Sequence, residues 1–92
     1  MVRFEWDEEK RKSNIRDHSI DFADLVELFL SETFTQMDER FDYGERRLLT
    51  IGIANGRFIA VSHTEDNGLI RIISARKAQR HEQEAYFKEI RD

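Results

Sequence analysis

The stretch Arg46-Arg47-Leu48-Leu49-Thr50-Ile51-Gly52-Ile53-Ala54-Asn55-Gly56-Arg57-Phe58-Ile59-Ala60-Val61-Ser62-His63-Thr64 decides the fold. Leu49, Ile51 and Ile53 alternate with Leu48, Thr50 and Gly52, the period of two that a pleated strand imposes. Asn55-Gly56 then supplies two residues that tolerate positive φ, which a two-residue type I′ turn demands. A second strand follows from Phe58 to Thr64. Glu65-Asp66-Asn67-Gly68 turns the chain again into a third strand, Leu69 to Arg76. Arg46–Arg76 is therefore expected to form an antiparallel meander. With Asn-Gly central in both turns, residue 54 faces 57 and residue 66 faces 69. One face then carries Leu48, Thr50, Ile59, Val61, His63, Ile70, Ile72, Ser74 and Arg76. The other carries Leu49, Ile51, Ile53, Phe58, Ala60, Ser62, Arg71, Ile73 and Ala75. Helices are expected over one face, with a ligand-accepting surface interrupting the other.

Upstream, Phe4-Glu5-Trp6 reads as a short strand, and Asp7 as the N-cap of a polar helix through about Asp17 whose apolar contribution is Ile15. Behind an Asp21 cap, Phe22, Leu25, Val26, Phe29 and Leu30 fall at i, i+3, i+4, i+7 and i+8, so a second helix should turn this stripe to the core. Phe34 to about Arg40 reads as a further strand running into a charged turn, residues 38–45. Downstream, Lys77 to about Arg91 has helix-forming composition, with Ala78, Ala85, Tyr86 and Ile90 as inner contacts. The fold class is α+β: a short N-terminal strand and two helices, the meander, and a C-terminal helix.

A chain of 92 residues has room for one core, so residues 1–92 are expected to form a single domain. No apolar run approaches the roughly 20 residues that span a bilayer, and the N-terminus lacks a secretory apolar segment; no membrane association and a cytoplasmic location are the expectation. With no Cys, thiol chemistry and Cys-ligated zinc are excluded. The formal net charge of −4 conceals a division. Residues 1–45 hold six Lys/Arg against thirteen Asp/Glu, a net of −7, and residues 46–92 hold nine against six, a net of +3. The first helix and the 38–45 turn are expected to be acidic, and a positive patch is expected around Arg71, Arg76, Lys77 and Arg80.

Four stretches resemble the BrnT family of bacterial toxins. Phe4-Glu5-Trp6-Asp7-Glu8, with Lys10 and Asn14, is similar to the family's opening, and His18-Ser19-Ile20-Asp21-Phe22 resembles its Lys-His-Gly-Val-x-Phe segment. Asp42-Tyr43-Gly44-Glu45-Arg46 followed by Ile51-Gly52 resembles its centre. Arg71-Ile72-Ile73-Ser74-Ala75-Arg76-Lys77-Ala78, with Glu84 and Tyr86 beyond it, resembles its most specific block. The departures are Asp17 where relatives often carry Lys, Ser19 where they carry Gly, and Asp66 where many carry Arg. The resemblance implies a RelE-like ribonuclease inhibited by a small BrnA-like antitoxin that itself binds operator DNA. A non-enzymatic module that docks a partner is the alternative. DNA binding by this chain alone is disfavoured, because neither of its first two helices is basic enough to lie in a groove.

RNA cleavage needs a base for the 2′-hydroxyl and an acid for the leaving oxygen, and His is the residue type suited to both near neutral pH. His18, between the two helices, and His63, on a strand beside Ser74 and on the face of Arg76, are the candidates. The competing role for His18 is a helix-end hydrogen bond, and for His63 a satisfied half-buried histidine. Arg46, Arg47, Arg71, Arg76, Lys77 and Arg80 could hold phosphates and a pentacovalent transition state, or could simply pair with carboxylates. Arg76 is the first choice, since it ends a strand beside a helix N-terminus and its anion-binding amides. Tyr86 could stack on a base, though a core-facing position suits it better. The three histidines are dispersed and the paired carboxylates look solvated, so metal-independent cleavage with no cofactor is expected.

Overall fold

The computed structural model describes residues 2–38 and 44–91. The chain runs β1 (Arg3–Trp6), α1 (Glu8–His18), a 3₁₀ turn (Phe22–Asp24), α2 (Leu25–Phe29), β2 (Phe34–Met37), β3 (Leu48–Ala54), β4 (Arg57–Asp66), β5 (Leu69–Lys77) and α3 (Arg80–Arg91). The strands make one five-stranded sheet in the order β1-β5-β4-β3-β2, antiparallel throughout except where β1 lies parallel to β5. No helix among the described residues is long and apolar enough to cross a membrane.

Both Asn-Gly turns form as the sequence requires, with positive φ at Asn55, Gly56, Asn67 and Gly68. Ala54 pairs with Arg57 and Asp66 with Leu69, so the expected register holds at both turns. It does not hold along the whole of β5. Ser62 pairs with Ser74 but His63 pairs with Ile72, which leaves Ile73 as the extra residue of a β-bulge. Because side chains alternate, one extra residue exchanges the faces of everything beyond it. Ala75 and Lys77 consequently turn to the face of Ile59, Val61 and His63, and Arg76 turns to the opposite face with Ala60. The expectation that His63 and Arg76 share a face is corrected by this bulge, and so is the placement of His63 beside Ser74.

Helices cover both faces. Against one, Phe22, Leu25 and Leu28 pack on Ile59, Val61, Ile72 and Ala75; against the other, Tyr86 and Ala78 pack on Leu49, Ile51 and Ala60. The expected stripe Phe22–Leu30 is altered by the 3₁₀ turn, which advances three residues per turn and brings Phe22, Leu25 and Leu28 to the core. Val26 and Phe29 are half-buried, and Leu30 is 75% exposed. Gly52 on β3 makes room for this packing, since a Cβ there would lie 2.8 Å from Leu28 Cγ.

Helix α1 docks by hydrogen bonds. Its Ile15 is exposed, and its buried residue is Asn14, whose Nδ2 donates to the Ile20 carbonyl at 3.0 Å while its Oδ1 accepts the Ala75 N–H at 3.0 Å. That amide lies beyond β1, which pairs only with residues 69–72 and leaves the rest of this β5 edge open. The helix begins at Asp7, which accepts from the Glu9 N–H, as expected. It is not acidic: Lys10, Arg11, Lys12 and Arg16 stand against Glu8, Glu9 and Asp17. Of the expected acidic turn, residues 39–43 lie outside the described residues, as does the end of the strand expected through Arg40.

Candidate functional site

A cavity of about 480 Å³ opens where α1 ends, the β3–β4 hairpin turns and β5 gives way to α3, lined by His18, Ile20, Gly56, Arg57, Phe58, Ile59, Lys77 and Gln83. Three segments far apart in the chain thus bring one imidazole and two cations together, with no carboxylate among the described lining residues. His18 is the last residue of α1, and Ser19 behind it closes the helix in a left-handed conformation, φ 58°, with its N–H on the Ile15 carbonyl at 2.9 Å. The Arg57 guanidinium donates to the Ser19 carbonyl at 3.0 Å. It therefore caps the negative end of the helix that carries His18. Lys77 reaches this side of the sheet because of the bulge, opposite Ile59. Among the described residues neither Arg57 nor Lys77 pairs with a carboxylate.

The remaining cationic candidates are dispersed, and four of them are paired with carboxylates. Arg71 donates to Glu5 at 2.7 Å, Arg47 to Glu45 at 3.1 Å and Arg80 to Glu84 at 3.2 Å. Arg46 is exposed ahead of β3. Arg76 lines a separate cavity of about 250 Å³ with Asp38, Gln79, His81 and Glu82. There its guanidinium forks onto Glu82, at 2.8 and 2.9 Å, and Glu82 Oε1 also accepts the Gln79 N–H at 2.7 Å. The anion that the sequence led us to expect at this strand–helix junction is the protein's own carboxylate. Burial opposes ionisation of Glu82, but Arg76 and the Gln79 amide outweigh it, holding the carboxyl below its ordinary value. The basic residues do not form a single patch, since Arg76 and Lys77 lie on opposite faces.

His63 is buried at the other end of β4, facing a cavity of about 290 Å³ lined also by Thr33, Thr35, Thr50, Glu65 and apolar side chains, and by no cation among the described residues. Its Nδ1 lies 3.3 Å from the Thr64 carbonyl, which can only accept, so Nδ1 carries the proton and Nε2 accepts from the Thr50 hydroxyl at 2.6 Å. Thr50 in turn accepts from Thr35, at 2.8 Å. Burial lowers the pKa of His63, keeping the ring neutral. His63 lies four residues along β4 from Ile59 of the cationic cavity, about 13 Å at roughly 3.3 Å each, and the two cavities share no lining residue among those described. Tyr86 takes the core position expected of it, its hydroxyl donating to the Glu32 carbonyl at 3.3 Å. Arg57, Phe58, Gln83 and Glu82 were not singled out from sequence; a cation two residues after Asn55 on a known turn was the available signal for Arg57.

Fold and cavity together define a small α+β protein with a cationic, histidine-bearing cleft of the kind that suits a phosphodiester. The sequence model of the family described as ribonuclease toxin, BrnT, of type II toxin–antitoxin systems matches residues 6–82. Among solved structures, the crystal structure of the Brucella abortus ribonuclease toxin BrnT is similar at 36% sequence identity and a TM-score of 0.65, over 87% of this chain and 100% of that one. No curated protein matches. The chain belongs to the BrnT family; it is a ribonuclease toxin of the type II toxin–antitoxin class, and its partner is an antitoxin.

Proposed function

We propose that RNA is cleaved in the cavity shared by His18, Arg57 and Lys77, without a metal ion, by internal attack of a 2′-hydroxyl on the neighbouring phosphorus. The carrying observation is the convergence of one imidazole and two cations unpaired with carboxylates on a single concave surface. His18 in its neutral form takes the 2′-hydroxyl proton as the P–O2′ bond forms. The P–O5′ bond breaks, and the Lys77 ammonium returns a proton to the leaving oxygen. The products are a 2′,3′-cyclic phosphate and a 5′-hydroxyl. Arg57 and Lys77 hold the charge that develops on the phosphoryl oxygens, in a site where their charge is already oriented. His63, enclosed and hydrogen-bonded on both nitrogens, organises the sheet end and takes no proton from RNA. Arg76 does its work through Glu82, while Arg46, Arg47, Arg71 and Arg80 steer RNA from a distance.

A BrnA-like antitoxin neutralises the protein by presenting acidic groups to Arg57 and Lys77, and operator DNA is reached only through that antitoxin. The test is cleavage of single-stranded RNA by purified protein in EDTA, with His18→Gln and an Arg57→Ala/Lys77→Ala double variant as controls. Wild type should release 2′,3′-cyclic ends, a 2′-deoxy residue at the scissile position should block it, and both variants should be strongly impaired. RNA binding should weaken steeply with salt, with the double variant showing a shallower slope. Undiminished cleavage by the double variant would overturn the assignment.

A further inference from the structure

The cationic cavity has a second wall that phosphate chemistry does not use. Phe58 lines it, half-buried, and its ring is fixed edge-to-face by two others, Tyr86 at 5.4 Å and Phe87 at 5.3 Å between centroids. Tyr86 and Phe87 also contact each other at 5.7 Å. Such a ring offers a flat apolar surface with little conformational freedom left to lose. Gln83 lines the same wall, and its Nε2 donates to the Ala78 carbonyl at 3.1 Å. A carbonyl only accepts, so the amide orientation is forced and Oε1 is the polar atom left for a ligand. Ala78 also donates its N–H to the Phe58 carbonyl at 2.9 Å, so one residue ties down both the Phe58 backbone and the Gln83 amide. Each cation of the cavity is the chain neighbour of this wall, Arg57 preceding Phe58 and Lys77 preceding Ala78.

We infer that this wall receives an unpaired nucleobase next to the scissile phosphate, stacked on Phe58 and read through an exocyclic amino group by Gln83 Oε1. The inference rests on the reading of the cavity as the ribonuclease site. A base can enter a concave pocket of this size only when it is free of a duplex, so the substrate is single-stranded RNA. Adenine and cytosine each carry an amino donor where the acceptor waits. Uracil presents carbonyl oxygens on both sides of its N3–H, and these repel Oε1. Stacking supplies affinity for any base, and the amide supplies the discrimination.

The experiment compares cleavage of poly(A), poly(C), poly(U) and the poly(A)·poly(U) duplex by wild type, Gln83→Leu, Phe58→Leu and Arg57→Ala/Lys77→Ala, each checked for folding by circular dichroism. Wild type should prefer adenosine or cytidine to uridine by roughly tenfold, the equivalent of one good hydrogen bond, and should spare the duplex. Gln83→Leu should bring the ratio towards one. Phe58→Leu should raise KM about tenfold on every polymer with the preference intact. Equal cleavage of all three polymers by wild type, or an unchanged ratio in Gln83→Leu, would overturn base reading. Loss of activity in the double variant would meanwhile leave the cavity as the site. Full activity in the double variant would remove the site itself, and the inference with it.

Discussion

Replacing Asn14 by Ala tests how a polar helix is held and, through it, how His18 is positioned. The side chain satisfies two buried backbone groups, the Ala75 N–H and the Ile20 carbonyl, both at 3.0 Å. Ala75 and Ile20 are 1% and 3% exposed, so water has no ready path to replace the lost partner. An unsatisfied buried group costs about 1–3 kcal/mol, and two are created. Alanine returns roughly 0.5 kcal/mol through its higher helix propensity. The expected net loss is about 2–5 kcal/mol, a large part of the stability of a domain this size. Urea denaturation should show the midpoint falling with the slope unchanged. Amide exchange should show Ala75 losing protection more than its neighbours on β5. His18 lies one turn beyond Asn14, so RNA cleavage at a temperature where the variant remains folded should fall as well. A loss below about 1 kcal/mol with Ala75 still protected would refute the argument, because it would mean another group or water satisfies that edge.

Glu82→Gln should destabilise by about 2–4 kcal/mol at neutral pH, since it removes the buried carboxylate onto which the Arg76 guanidinium forks. Because the folded pKa of Glu82 is lowered, its contribution is full above the unfolded value of about 4.3 and is lost as pH falls through the folded one; acid titration of wild type and variant should converge there. Ser19→Gly should stabilise by about 1 kcal/mol, measured by denaturation, because Ser19 holds a left-handed φ of 58° that glycine adopts without strain. Leu28→Ala should cost about 2–5 kcal/mol, whereas Leu30→Ala, 75% exposed, should stay within about 0.5 kcal/mol, and equal effects would contradict the 3₁₀ start of this segment.

The meander was legible because Asn55-Gly56 and Asn67-Gly68 fix turns by local chemistry, and the caps Asp7 and Asp21 were legible for the same reason. The bulge at Ile73 was not, since no Gly or other local signal marks it and it is determined by which side chains two helices can bury. His18 and Lys77 were named from residue type and resemblance, but their meeting with Arg57 depends on packing between distant segments. Arg76 illustrates the opposite case. The basic residue was conspicuous, and the carboxylate six positions later that occupies it became visible only when β5 and α3 were in place.

The single unpaired residue in β5 works as a phase shift between two halves of one strand. Up to Ile72 the strand keeps the register set by the Asn67-Gly68 turn and runs alongside β1; beyond Ile73 it presents adjacent cations to two separate compartments. Were the ladder to continue past His63 and Ile72 without the bulge, Ile59 would face Arg76 in place of Lys77: Arg76 would enter the compartment of His18, and Lys77 would turn towards that of Glu82, a point charge where a planar fork now fits. In this chain the bulge, and not the identity of either cation, decides which compartment each of the two enters.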